Sequence, residues 1–221
     1  MIGPITISVI SISRGKVNRL SRAGVRDSKL LTGKKRMFLY DEIQSLAEEV
    51  LTYSITNSEI NQAMSNHISI NELEALNFAK LIDSMESKPS TVFLDSPDVI
   101  SERFGLRVGF FSQKRLLASG MKRGKKSAEE DVIKVISEHK ADSRYPVVSG
   151  ASIIAKVERD REIQRIADRS GLDIGSGYPS DSYTVSAIRE DLGRGRLAPY
   201  LRERWQTIKA IRQLRMEEFL G

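Results

Sequence analysis

The stretch Val147-Val148-Ser149-Gly150-Ala151-Ser152-Ile153-Ile154-Ala155-Lys156-Val157 constrains this chain more than any other. Apolar and small side chains occupy nearly every face of a helix drawn on it, so the helix must be buried and can lie close against a sheet. Tyr145-Pro146 breaks the chain just ahead of it. One cation, Lys156, is embedded in the run and needs an anionic partner or a route to solvent.

The rest of the chain supplies strands for that helix to cover. Ile5 to Val9 alternates with period two, a half-buried strand that continues less regularly to Ile12. Leu39, Ile43, Leu46 and Val50 fall on one helical stripe, and Val50–Ile55 reads as a strand. Ser69 and Glu72 have capping-box spacing for a helix running to about Met85. Thr91-Val92-Phe93-Leu94 is a short buried strand that stops at Asp95-Ser96-Pro97, and Leu106–Phe111 reads as further strand. Ser127 and Glu130 form another capping box, opening a helix with Val132, Ile133, Val135 and Ile136. Leu201–Leu220 reads as a terminal helix docked through Leu201, Trp205 and Ile208. Strands interspersed with helices make an α/β chain, and 221 residues suffice for one sizeable core.

Composition removes several chemistries. The chain has no cysteine, which excludes disulfides, thiolate metal sites and a cysteine nucleophile. No apolar run approaches the ~18 residues of a membrane span. Met1-Ile2-Gly3-Pro4 lacks the basic flank and apolar stretch of a signal peptide, so a soluble cytoplasmic protein with no membrane partner is expected. The net charge of +6 is modest, but it is unevenly placed. Met121–Lys126 carries four cations in six residues, and Arg189–Arg215 carries eight basic residues against three acidic ones. Such local excesses suit phosphate-backbone binding, although acidic lipid or another polyanion would satisfy the same arithmetic.

The two histidines, His67 and His139, have no second histidine at metal-ligand spacing, which argues against zinc. Neither a G-x-S-x-G elbow nor a Walker lysine motif occurs. Carboxylates remain. Asp95 ends an apolar strand and Asp142 precedes the buried helix. Each could be an ordinary turn or cap residue. If both enter one cleft, they can hold Mg²⁺ or Mn²⁺, hard cations that take oxygen ligands. Tyr178, in the turn-rich loop Gly175-Ser176-Gly177-Tyr178-Pro179-Ser180-Asp181, could present its ring to a sugar or base, or be a plain loop tyrosine.

Together these pieces resemble ribonuclease HII, particularly its archaeal form. The densest match runs from Lys140-Ala141-Asp142 through Tyr145-Pro146-Val147-Val148 to Ala151-Ser152-Ile153-Ile154-Ala155-Lys156-Val157-Glu158-Arg159-Asp160. Supporting matches are Asp27-Ser28-Lys29-Leu30-Leu31-Thr32, Asn71-Glu72-Leu73-Glu74-Ala75, Leu94-Asp95, the loop 175–181 and Arg204-Trp205-Gln206-Thr207, in the family's order along nearly the whole chain.

The resemblance implies a ribonuclease H-like fold, a mixed five-stranded sheet flanked by helices. It divides the chain into a catalytic domain over 1–195 and a helical extension over 196–221. It implies an endonuclease that cuts the RNA strand of RNA–DNA hybrids and the junction at ribonucleotides embedded in DNA, leaving 5′-phosphate and 3′-hydroxyl ends. Such an enzyme serves DNA replication and repair. In it Asp95 and Asp142 are metal ligands and Tyr178 stacks at the ribonucleotide–deoxyribonucleotide junction. Lys29, Ser152, Lys156 and Arg159 are candidates for phosphate or site-supporting contacts. A monomer is expected, with a sliding clamp as a conceivable partner.

The chain departs from the family pattern in one respect. The family's first, central strand ends in Asp-Glu-Ala-Gly-Arg-Gly, a few residues before Ile-Gly-Pro, whereas here Ile2-Gly3-Pro4 directly follows Met1. The expectation is a start assigned too late, with a shortened or degraded gene and a true protein with a reorganised site as competing readings, and a chain that as written is nearly inactive because two site carboxylates are missing. A hybrid-binding protein without a metal centre is the alternative, and a basic α/β domain for some other polyanion is the blander one.

Overall fold

A computed structural model of the chain describes residues 1–25, 31–118 and 132–220, with side chains as far as 214. Lys29, the basic run Met121–Lys126 and the Ser127/Glu130 capping box lie outside the described residues.

The element order is β1 (Ile5–Ser11), α1 (Arg14–Ala23), α2 (Gly33–Leu46), β2 (Glu49–Ile55), α3 (Asn57–Ser65), α4 (Ile70–Ser84), β3 (Thr91–Asp95), α5 (Ser101–Phe111), β4 (Leu116–Ala118), β5 (Ile133–Glu138), α6 (Ala141–Arg144), α7 (Pro146–Ser170), α8 (Ser182–Asp191), a 3-10 turn (Ala198–Tyr200) and α9 (Gln206–Leu220). The chain divides into two compact units. One comprises Ile7–Tyr53 and Ile70–Val157; the other comprises Met1–Thr6, Ser54–Ser69 and Glu158–Gly221.

The first unit holds the sheets. β3, β5 and β4 form a parallel sheet in the order β3-β5-β4, with Asp95 opposite Glu138 at its carboxyl end. β1 and β2 form a separate two-stranded sheet. The Glu48 amide donates to Ser11 O, and the Ser8 hydroxyl donates to Leu51 O, the falling register of an antiparallel pair. Among the described residues five strands are therefore present in two sheets rather than in the one mixed sheet the resemblance implies. The mixture of parallel and antiparallel pairing with flanking helices is as expected.

The constraining helix is buried as its composition demands. Ile153 and Ile154 of α7 are fully buried against Ile10 of β1 and Leu39 and Ile43 of α2. Gly150 eases that approach: a Cβ there would stand 2.9 Å from Ile10 Cδ1, and the isoleucine would have to turn aside. A second core packs α4 and α5 onto the parallel sheet through Ala75, Ala79, Ile82, Phe104, Val108, Leu94 and Val135.

Two expectations are overturned here. Leu106–Phe111 is not strand but the second half of α5, because Phe104 and Val108 stand four apart on one buried face. Ile133–Ile136 is not helix but part of β5, where Ile133 and Val135 point inward and Lys134 outward with period two. In both cases a short apolar run fits either period, and the neighbouring element decides.

The second unit has its own core of Ile2, Ile163, Ile166, Ile174, Ile188, Leu197, Leu201, Ile208 and Ile211, with Trp205 packed against it. Leu201, Trp205 and Ile208 do pack into this core, but the terminal helix begins at Gln206 rather than at Leu201, because Leu201 is taken up in a bridge to Ile2. Arg202 is buried, donating from Nε to Gly3 O at 3.0 Å and from Nη2 to Pro4 O at 2.8 Å. Asn57 Nδ2 donates to Gly3 O and Tyr200 O, which fastens the same segment from α3.

Candidate active site

The carboxyl end of the parallel sheet is where open α/β sheets place their ligands. β3 ends on Asp95, which is exposed and lies in register with Glu138 of β5. Past β5 the chain reverses at Lys140, a non-glycine residue at φ 55°. That left-handed turn costs roughly 1 kcal/mol. It aims the Ala141 amide at Asp95, whose Oδ1 accepts it at 3.0 Å. Asp142 is the next residue, so the segments that carry the two expected acids are joined by one hydrogen bond.

Asp142 is 8% exposed, and no described residue donates a hydrogen bond to its carboxylate. A buried carboxylate without a donor calls for a cation or water. Around the pair the scaffold is fixed by ordinary contacts. The Tyr145 ring lies 4.4 Å from that of Phe93, and desolvation, then the charge of Glu138, push its hydroxyl pKa up. Arg144 pairs with Glu138 at 2.8 Å. His139 Nε2 sits 2.6 Å from Asp98 O, and Asp98 is buried and paired with Arg107 at 2.5 Å. His139 is thus a structural residue, tying the turn after β3 to the end of β5.

Donor chemistry sets what this edge can hold. Two carboxylates suit one hard divalent cation, with water or phosphate oxygens completing its shell. Among the described residues no group of three or more His, Cys, Asp or Glu side chains is close enough to hold a metal.

Tyr178 belongs to the second unit. Its loop is pinned by Asp181, whose Oδ2 accepts the Ser176 amide at 2.6 Å and the Ser176 hydroxyl at 2.7 Å while Oδ1 accepts the Tyr183 amide at the start of α8. Gly177 takes φ 75°, and a Cβ there would meet Ile163 Cδ1 at 2.7 Å and Ile2 O at 2.9 Å. Only glycine fits. Arg159 of α7 lies behind the loop: it donates to Ser176 O at 3.1 Å, and its guanidinium carbon stands 3.8 Å from the Tyr178 ring centre. Burial pulls the Arg159 pKa below its ordinary value, partly offset by Tyr178 and Asp160. Arginine nonetheless stays charged. Ser152 and Lys156 are half-buried and already engaged within the protein.

The Ser176 amide, then its hydroxyl, holds the Asp181 carboxyl below the usual carboxylate range. A depressed folded pKa stabilises the loop above the ordinary value of about 4, and this contribution disappears as pH falls through the lower folded value. The amide resonances of Ser176 and Tyr183 should therefore titrate with a midpoint below about 4, and Asp181→Asn should abolish that titration. A midpoint in the ordinary range contradicts the pinned loop.

The basic residues of 189–215 divide. Arg196 is held by Asp191 at 3.0 Å, Arg212 by Glu203 at 2.9 Å, and Arg202 is buried, whereas Arg194, Arg204 and Lys209 are exposed.

The ribonuclease HII family profile matches residues 1–208, from the first residue through the start of α9. The chain belongs to the ribonuclease HII family. A ribonuclease HII of Thermococcus onnurineus is 36% identical over 234 residues, covering 100% of this chain and 94% of the relative. The crystal structure of ribonuclease H2 from Pyrococcus horikoshii superimposes with a TM-score of 0.78 at 36% identity, covering 96% of this chain and 92% of that one. The ribonuclease HII of Archaeoglobus fulgidus, solved in complex with PCNA, gives a TM-score of 0.76 at 34% identity over 96% of this chain and 90% of that one. As a ribonuclease HII, the chain has a ribonuclease H-like mixed α/β fold and is a nuclease by descent.

Sequence reasoning does not reach Glu138, register partner of Asp95, because its segment reads as helix. It also passes over Asp181, whose only signal is its place at the end of a Gly-rich loop.

Proposed function

We propose that this ribonuclease HII hydrolyses the RNA strand of RNA–DNA hybrids and cuts at ribonucleotides embedded in DNA, leaving a 5′-phosphate. The observation that carries the reading is the hydrogen bond by which Asp95, at the carboxyl end of β3, holds the Ala141 amide, one residue from Asp142, a largely buried acid with no donor among the described residues. Asp95 and Asp142 are the residues to hold Mg²⁺ or Mn²⁺. In two-ion hydrolysis of a phosphodiester, such ions activate water and stabilise the charge on the attacked phosphate. Asp95, fixed by the Ala141 amide, presents its charge in one orientation. Tyr178 offers a ring to the nucleotide at the junction, and exposed Arg194, Arg204 and Lys209 meet the phosphate backbone. A sliding clamp is a proposed partner, since the A. fulgidus relative was solved with PCNA.

The test is cleavage of a duplex carrying one ribonucleotide, with Mg²⁺ or Mn²⁺, beside the P. horikoshii relative. Metal-dependent cleavage at the ribonucleotide is the expected result. Tight hybrid binding with no cleavage in either metal favours a non-catalytic hybrid-binding protein, and no affinity for hybrid overturns both.

A further inference from the structure

We infer that Arg159 is a positioning residue for Tyr178: it fixes the plane of the ring from behind and does not itself touch nucleic acid. The inference rests on the proposed role of Tyr178 and deepens it.

Arg159 is 6% exposed, and its Nη2 is sealed from solvent without a hydrogen-bond partner. A sealed nitrogen cannot reach a phosphate. A buried guanidinium with an unpaired nitrogen is an expensive way to fill space, and an aliphatic side chain of similar length would pack there at less cost. What an aliphatic chain cannot do is define an orientation. The guanidinium is a rigid plane with two attachments to one turn and a close fit to a third residue between them. Nη1 donates to Ser176 O at 3.1 Å, and the plane stacks on Tyr178 at 3.8 Å. Nη2 lies against Gly177, so that a Cβ there would stand 3.2 Å from it. Consecutive residues 176, 177 and 178 are thereby held by one side chain. Asp160, 3.8 Å from Nη1, supplies a nearby countercharge.

Tyr178, by contrast, keeps 37% of its surface exposed. The arrangement presents a ring to solvent with a cation behind it. A ring so held has already given up its rotamer freedom and can accept a base or sugar without further ordering, which favours binding. The cation also polarises the ring, an attraction that is stronger where water is excluded.

The experiment is a double-mutant cycle on affinity for a ribonucleotide-containing duplex, measured without divalent metal so that cleavage plays no part. Tyr178→Ala should weaken binding roughly ten- to hundredfold, the scale of one base–aromatic stack. Arg159→Met and Arg159→Lys should each weaken it about three- to tenfold, the scale of a cation–π contact. In the Tyr178→Ala background neither should cost anything further, because a residue that acts through the ring has nothing left to position. Additive losses overturn the inference, since they mark direct contact or a general effect on the unit.

If Tyr178→Ala has no effect on binding, the functional reading of the loop fails, and the ring itself still decides the inference. Arg159→Met should move and broaden the ring resonances of Tyr178 and spare those of distant tyrosines; unchanged Tyr178 signals overturn it. Should the Arg159 variants not fold, the unaltered protein supplies the test. Slowly exchanging Arg159 Nη protons with cross-peaks to the Tyr178 ring support the clamp, and rapidly exchanging ones refute it.

Discussion

Exchanging Asp95 for asparagine is expected to lower metal-dependent cleavage by at least about 100-fold and leave stability almost untouched. The asparagine oxygen can still accept the Ala141 amide that Asp95 accepts at 3.0 Å, so the turn at Lys140 and the approach of α6 should survive. The negative charge is lost, and with it the attraction for a hard cation. Asp142→Asn should act similarly, because its buried carboxylate has no described donor whose loss would complicate the result. The measurement is single-turnover cleavage with enzyme in excess, read beside a Mn²⁺ titration of each variant. Both rate and metal affinity should fall together. A variant that keeps its Mn²⁺ affinity but loses cleavage would place the metal elsewhere.

The largest expected effect on stability is Phe104→Ala. Phe104 is fully buried, meets Phe78 edge-on at 6.0 Å, and anchors α5 and α4 over the parallel sheet. Removing a buried phenyl ring leaves a cavity and costs about 3–5 kcal/mol. Against a typical total of about 5–15 kcal/mol, that leaves a barely stable protein. Urea unfolding should show a much lower midpoint with an unchanged slope. A loss below about 1 kcal/mol would mean that α5 does not pack on β5 through this ring.

How much of this is legible in sequence depends on whether local pattern or distant packing makes the decision. The burial of 147–157 can be read directly, because no solvated helix tolerates so few polar side chains. Its closeness to a sheet can be read too, since Gly150 and Ala151 are small; which strand it meets cannot. Asp95 can be placed at a strand end by the apolar run before it. That it holds the Ala141 amide, one residue from Asp142, cannot, because the bond depends on a left-handed Lys140. The swap of strand and helix at 106–111 and 133–136 has the same origin. Six apolar-rich residues carry two periods equally well, and only the sheet they join distinguishes them. Arg159 is readable as a cation near the site, but a sequence does not show that a side chain is sealed behind a ring.

The contacts of Arg202 also bear on how the chain comes together in time. Its bonds to Gly3 and Pro4 join residues 199 and 198 positions apart, and the unit they close draws on three separated stretches. Closing so long a loop is entropically slow, and contacts of this separation set folding rates more than final stability. During synthesis from the N-terminus, residues 7–53 and 70–157 can pair among themselves while the second unit still waits for α8 and Arg202 to be made. Ile2, fully buried in the finished protein, stays exposed through that interval. The loop carrying Tyr178 belongs to the late-forming part, so affinity for nucleic acid should be the last property a refolding chain recovers.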